Sequence, residues 1–202
     1  VSELDPTQLK RLHRSWRRRT TARLSVGLDG VASPFNVGAI IRTAAAYRAD
    51  PLWITGSTTD PAHPKVAKTA LGTQRLVRVQ RCGGGAELVE SAHRAGFRVV
   101  ALELATGAVP LPEVDLLGDC CLIVGHEDHG VSRGSLTAAD VVAYLPQLGR
   151  VGSLNVATAA SIAIFEWARQ QWAGARGVEG SVEPGRPGAP PERAPYGDLP
   201  GT

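Results

Sequence analysis

The sequence predicts an α/β domain with a mainly parallel sheet flanked by helices. Three observations carry this. Short apolar runs of strand length alternate with segments of helical spacing along most of the chain. Two of those runs, 97–104 and 120–124, are apolar at nearly every position, as buried strands are. A long alanine-rich segment from Ser153 to Trp172 then supplies a closing helix. A chain of 202 residues suits one domain of ordinary size with a real core.

Taken in order, residues 3–19 read as a helix, because Leu9, Leu12 and Trp16 recur at helical spacing behind a proline. Lys10, Arg11, Arg14, Arg17, Arg18, Arg19 and Arg23 crowd this stretch, with no acid between Asp5 and Asp29. The expectation is an amphipathic arm, residues 1–23, packed on the body with its basic face outward and suited to RNA phosphates. Leu24, Val26 and Leu28 alternate as a first strand. A loop from Gly30 to Pro34 then delivers Asn36 to a helix whose buried stripe is Val37, Ile40, Ile41, Ala44 and Ala45. Asn36, Ala39 and Arg42 follow at i+3 steps, which puts Arg42 near the side of Asn36. Gly38 lets another backbone or a ligand approach the first turn.

Further on, 52–55 is a strand, 56–64 a polar loop, 65–71 a short helix, 76–79 a strand and 85–95 a helix. The strands 97–104 and 120–124 follow, then a short helix 132–138, a last strand 141–145 and the closing helix 153–172. From residue 174 to 202, glycine and proline dominate with few apolar residues, a composition expected to stay disordered. The body is thus 24–173.

Composition excludes several classes. There is no apolar run of membrane-spanning length and no signal-peptide pattern, so a soluble, cytoplasmic protein with no membrane partner is expected. Cys82, Cys120 and Cys121 lack metal-ligand spacing; the last two face opposite sides of a strand as small buried hydrophobes. No G-x-G-x-x-G follows the first strand, and Gly125 through Gly130 has no following lysine, which argues against dinucleotide and triphosphate sites. G-x-S-x-G is absent. The run His126-Glu-Asp-His129 fits no standard metal site, so no metal is expected.

Leu145 through Ala160 passes from a strand through Gly149 and Gly152 to a helix start. Ser153 is the expected N-cap there, with Asn155 inside the first turn, and such an end favours an anion.

That segment joins two others: Asn36-Val-Gly-Ala-Ile-Ile-Arg42 and Gly125-His-Glu-Asp-His-Gly-Val-Ser132. In this order they resemble the motifs N-x-G-x-x-x-R, G-x-E-x-x-G-[VL]-S and P-x-x-G-x-x-x-SLN-V of the SpoU/TrmH family of RNA ribose 2′-O-methyltransferases. The resemblance covers roughly residues 24–172. It implies a deep trefoil knot within about 120–172, S-adenosylmethionine as cofactor, and a homodimer. It implies catalytic parts for Arg42, Asn36, Glu127, Ser153 and Asn155. Arg42 acts as a general base or an electrostatic clamp; Glu127 holds the site through Asn36 or nearby backbone. Ser153 and Asn155 position an RNA phosphate and brace the arginine.

By the same resemblance the cofactor is held mostly by backbone around Leu102, Glu103 and Leu104, at Gly125, and at Leu145, Leu148 and Leu154. The sequence departs from the commoner pattern at Gln147, Arg150 and the His126/His129 pair; Arg150 adds a charge suited to RNA. A short basic extension resembles the subgroup that methylates a D-loop guanosine of tRNA, so tRNA is favoured over ribosomal RNA. A non-catalytic RNA-binding paralogue is the competing reading, and all five motif side chains are retained against it.

Overall fold

The computed structural model describes residues 3–176. Its strands are β1 (Leu24–Asp29), β2 (Leu52–Thr55), β3 (Val79–Cys82), β4 (Arg98–Leu102), β5 (Val109–Pro110), β6 (Cys120–Gly125) and β7 (Val141–Tyr144). They form one seven-stranded sheet in the order β3-β2-β1-β6-β4-β7-β5, every pair parallel. Parallel pairing requires crossovers rather than hairpins. Helices α2 (Pro34–Ala46), α3 (Pro64–Ala70), α4 (Gly85–Arg94) and α5 (Arg133–Ala138) supply them, between α1 (Pro6–Arg17) and the closing α6 (Val156–Arg176).

Strand side chains alternate between faces, and β6 divides the core accordingly. Cys120, Leu122 and Val124 pack with Leu24, Val26 and Leu28 of β1, with α2 and α3, and with Ala160, Ile164 and Trp167 of α6. Cys121 and Ile123 pack with Leu88, Val89 and Ala92 of α4 on the opposite face. The two thiols do lie on opposite sides; burial pushes both up, Cys121 to about 12, so neither ionises at neutral pH. Gly38 lets two backbones meet: a Cβ there would collide with Thr69 Oγ1 and the Val66 carbonyl of α3.

Several elements differ from the sequence expectation. The third strand begins at Val79; residues 73–76 instead form a 3₁₀ turn after Gly72 (φ 85°), leaving Leu76 72% exposed. β5 is two residues long and was not foreseen; its Pro110 lacks an N–H and sits on the sheet edge, where none is needed.

The arm departs further. α1 is capped by Asp5, whose carboxylate accepts from the Thr7 and Gln8 amides while Gln8 accepts from the Asp5 amide. Yet it buries no residue, and Leu9 and Leu12 stay exposed. Its hold on the body is aromatic: Trp16 lies 4.6 Å from Trp172 of α6, with Arg19 stacked 3.9 Å over Trp16. The expected disordered tail lies outside the described residues, apart from the end of α6.

Candidate active site

The motifs meet at the carboxyl edge of the central strands β1 and β6, where ligands bind in open α/β sheets. β1 ends in Asp29, and the chain turns through Gly30 (φ 84°) into the 31–33 loop. Ser33 then caps α2, its hydroxyl accepting from the Asn36 amide. β6 ends at Gly125, where the 126–130 hairpin folds back so closely that a Cβ would collide with Gly130 and Val131 backbone.

From that hairpin Glu127 reaches across to the start of α2. Its Oε1 accepts from Asn36 Nδ2 at 2.7 Å and the Ser33 amide at 3.0 Å; its Oε2 accepts from the Ala32 amide at 2.9 Å. Burial pushes this carboxyl up, but the Asn36 donor and the two backbone amides outweigh it and hold the pKa below the ordinary value. Asn36 passes the connection on, its Oδ1 accepting from Asn155 Nδ2 at 3.0 Å. One residue from each motif therefore joins a single hydrogen-bonded chain.

Asn155, not Ser153, caps α6: its Oδ1 accepts from the Ala157 amide at 2.9 Å and the Thr158 amide at 3.2 Å. The helix starts at Val156, two residues later than a Ser153 cap would require, and Ser153 is left exposed in the preceding loop. Either side chain can cap a helix; the carboxamide has the advantage that its free Nδ2 can reach Asn36 while its oxygen caps. Asn155 therefore braces Asn36 and not Arg42. Arg42 is exposed on α2, and none of the ion pairs among the described residues engages it. Beside it, Thr43 and Ser161 hydroxyls pair at 3.0 Å and fix α2 against α6.

The residues expected to hold a cofactor divide. Leu102 and Gly125 end the neighbouring strands β4 and β6, and Leu145 follows β7 on the other side of β4, so these are brought together. Leu145 is half-buried against the core and Leu154 half-buried in its loop. Leu104 and Leu148 project into solvent, Leu148 completely. The Glu103 carboxylate is occupied internally, accepting from the Val131 amide at 2.7 Å and the Leu104 amide at 3.1 Å.

Two residues were missed. Asp29 is buried and accepts from the Ser132 amide at 2.9 Å and Ser135 Oγ at 2.8 Å, tying α5 to the end of β1. An acid ending an otherwise apolar strand was the available signal. Gln147, noted only as a departure from pattern, has its Oε1 buried without a partner in the 145–155 loop. An unpaired buried acceptor is costly, and a hydroxyl or amino group of a nucleoside would satisfy it. The loop thus fits a cofactor of S-adenosylmethionine type. Among the described residues no cluster of three or more His, Cys, Asp and Glu is placed to hold a metal, and no helix is long and apolar enough to cross a membrane.

Residues 23–165 match the SpoU rRNA Methylase family over most of the chain. The chain belongs to that family. An uncharacterized tRNA/rRNA methyltransferase of Synechocystis sp. is 34% identical over 152 residues, 75% of this chain but only 55% of that protein's length. The tRNA (guanosine(18)-2′-O)-methyltransferase of Escherichia coli K12 is 31% identical over 171 residues, 83% of this chain and 72% of the enzyme. The SpoU methyltransferase AviRb of Streptomyces viridochromogenes, solved with AdoMet, superposes with a TM-score of 0.69 at 29% identity, covering 76% of this chain and 62% of that one. Asn36, Glu127 and Asn155 thus meet at the carboxyl edge of a SpoU-family sheet, and Arg42 lies further along α2.

Proposed function

We propose that this SpoU-family chain methylates a ribose 2′-hydroxyl of RNA, with tRNA favoured and ribosomal RNA the second reading. The observation that carries it is the chain Glu127–Asn36–Asn155, which locks the starts of α2 and α6 together while leaving Arg42 in no ion pair among the described residues. S-adenosylmethionine, when bound, supplies a methyl group on a sulfonium. Arg42 then acts as an electrostatic clamp on the RNA phosphate and the charge that develops on the 2′-oxygen, since a guanidinium keeps its proton at neutral pH and offers fixed donors. Glu127 orients Asn36 and the loop amides. Ser153, exposed in the 145–155 loop, and Arg150 meet RNA phosphates, and Gln147 accepts from the cofactor.

The basic arm adds a second RNA contact through the exposed Arg11, Arg14, Arg17 and Arg18, while Arg19 is committed to Trp16. The similarity to a tRNA guanosine-18 enzyme supports tRNA; the relative named for both RNAs keeps ribosomal RNA open. The proposal includes a homodimer, which would cover the exposed Ile162 and Phe165 of α6, and action in the cytoplasm.

It also includes the trefoil knot. β7 is flanked by β4 and β5, which belong to one continuous segment. The chain enters β7 from α5 on the α4 face and leaves toward α6 on the opposite face. The 145–155 segment would then pass through the 103–119 connection, which a traced electron-density map tests directly.

The deciding experiment incubates the protein with methyl-labelled S-adenosylmethionine and, separately, unmodified tRNA transcripts and ribosomal RNA, then maps the 2′-O-methyl position. Label on tRNA is expected. Label on ribosomal RNA alone would exchange the substrate, and no label with intact cofactor binding would favour a non-catalytic RNA-binding role.

A further inference from the structure

The His126/His129 pair is the feature of the site that the hydrogen-bonded chain does not use. Its two imidazoles are stacked, centroids 4.6 Å apart and tilted by 28°, on either side of Glu127 in sequence. Little about this pair is loose. The hairpin closes through reciprocal backbone bonds between His126 and Gly130, each 2.9 Å. The His126 ring is turned by Nδ1, which accepts from the Asp128 amide at 3.0 Å. Its Cβ lies over the end of β1, 3.7 Å from where a Cβ of Gly30 would stand. His126 is half-buried and His129 exposed.

We propose that His126 and His129 form a stacking platform for the base of the nucleotide whose ribose is methylated. This rests on the RNA-methyltransferase reading and adds how the target is held. Nucleotides of single-stranded RNA loops can be splayed from their neighbours, and splayed bases are characteristically received on aromatic rings, histidine among them. Glu127, between the two histidines in sequence, is already bonded to Asn36 and to the loop leading into α2, so one hairpin carries both the platform and the residue that anchors the start of α2. The His126 ring, already held by the Asp128 amide, loses little freedom when other rings stack on it. Because stacking reads a π-face and not a hydrogen-bonding edge, the platform holds any base and leaves sequence choice to other contacts.

The test uses the full chain and the RNA and nucleotide mapped by the labelling experiment, with the target base intact or replaced by an abasic ribose that keeps its 2′-hydroxyl. On intact RNA, His129→Ala should raise KM about tenfold, leaving kcat and cofactor affinity unchanged, since a stacked base is held equally in ground and transition states. His129→Phe should restore the KM. On abasic RNA the wild-type protein should fall to the level of His129→Ala, and the substitution should cost nothing further. An equal loss on both RNAs, a loss of cofactor affinity, or no rescue by phenylalanine would each overturn the platform.

A second readout needs no turnover. The wild-type protein should quench 2-aminopurine placed in a single-stranded octa-adenylate, and the His126→Ala/His129→Ala protein should not. If the wild type labels no RNA, the functional reading fails, yet the quenching still decides the stack: quenching by the wild type alone supports it, and any other result overturns it.

Discussion

The carboxyl edge of the sheet and the N-terminal arm are both polar regions expected to meet RNA, yet they are built in opposite ways. At the edge, Glu127, Asn36 and Asn155 are linked to one another although they lie 91 and 119 residues apart in sequence. Each also bonds backbone or anchors a helix start, so moving one disturbs the others. Within α1 of the arm, side-chain hydrogen bonds stay local, the Asp5–Gln8 capping box and the Ser15 hydroxyl to the Leu12 carbonyl, and Leu9 and Leu12 face solvent. Long-range bonds begin only at Arg23, which donates to Asp119 and to the Ala95 carbonyl. Trp16 on Trp172 is the anchor of α1 itself. Long-range polar bonds fix a geometry for chemistry; a basic helix on one aromatic hinge offers charge without fixing where that charge lies.

The largest effect should come from the cation on α2, the helix whose start this edge fixes. Arg42→Ala should cut methyl transfer by about 10²–10³-fold, the usual loss for a preorganised charge-stabilising donor, while cofactor affinity measured by calorimetry stays within twofold. Loss of both together would make Arg42 structural. Glu127→Gln comes next: it keeps the shape but removes the charge that the Ala32, Ser33 and Asn36 donors are aimed at, and should lower activity by about tenfold. It also carries a pH signature. Because the folded carboxyl titrates below its usual range, its contribution to stability is full above the unfolded value of about 4.3 and is lost as pH falls through the folded one. Wild-type melting temperature should therefore drop more between pH 5 and pH 3 than that of Glu127→Gln; equal drops would mean the pairing is not felt. The carboxylate is on an exposed residue, so screening keeps this difference small.

Removing residues 1–19 should act differently, weakening RNA binding several-fold at low salt and flattening the dependence of log affinity on log salt by about one unit per lost phosphate contact. The rate on saturating RNA should hold. An unchanged salt slope would take the arm out of the RNA interface.

The same contrast decides what could be read from the chain alone. The sheet was legible because 97–104 and 120–124 are apolar runs of strand length, and the fate of Cys120 and Cys121 followed from a period of two. The link from Glu127 to Asn36 was legible through the motifs. What was not legible depends on tertiary partners. Leu9, Leu12 and Trp16 form an amphipathic stripe whatever they face, and the sequence cannot say that only the tryptophan finds a neighbour. Leu76 and Val77 look like a strand start, but the left-handed turn at Gly72 sends residues 73–76 into a 3₁₀ turn. At the third motif, Ser153 and Asn155 are both good caps, and which one wins depends on Asn36, supplied from α2.

That last choice gives the smallest effect and the sharpest discrimination. Asn155→Ala removes an acceptor from two amides of α6 and a donor to Asn36, so it should destabilise the fold by about 1 kcal/mol, read as a shifted urea midpoint with an unchanged slope. Ser153→Ala removes a hydroxyl from an exposed loop residue and should stay within about 0.5 kcal/mol, while activity on RNA falls if that hydroxyl meets a phosphate. If the two substitutions destabilised equally, α6 would be capped at Ser153 in solution, and the bond from Asn155 to Asn36 would lose its anchor. If Asn155→Ala lowered stability but left turnover intact, the link between α2 and α6 would be a matter of folding alone, and the case for positioning Arg42 would rest on Glu127.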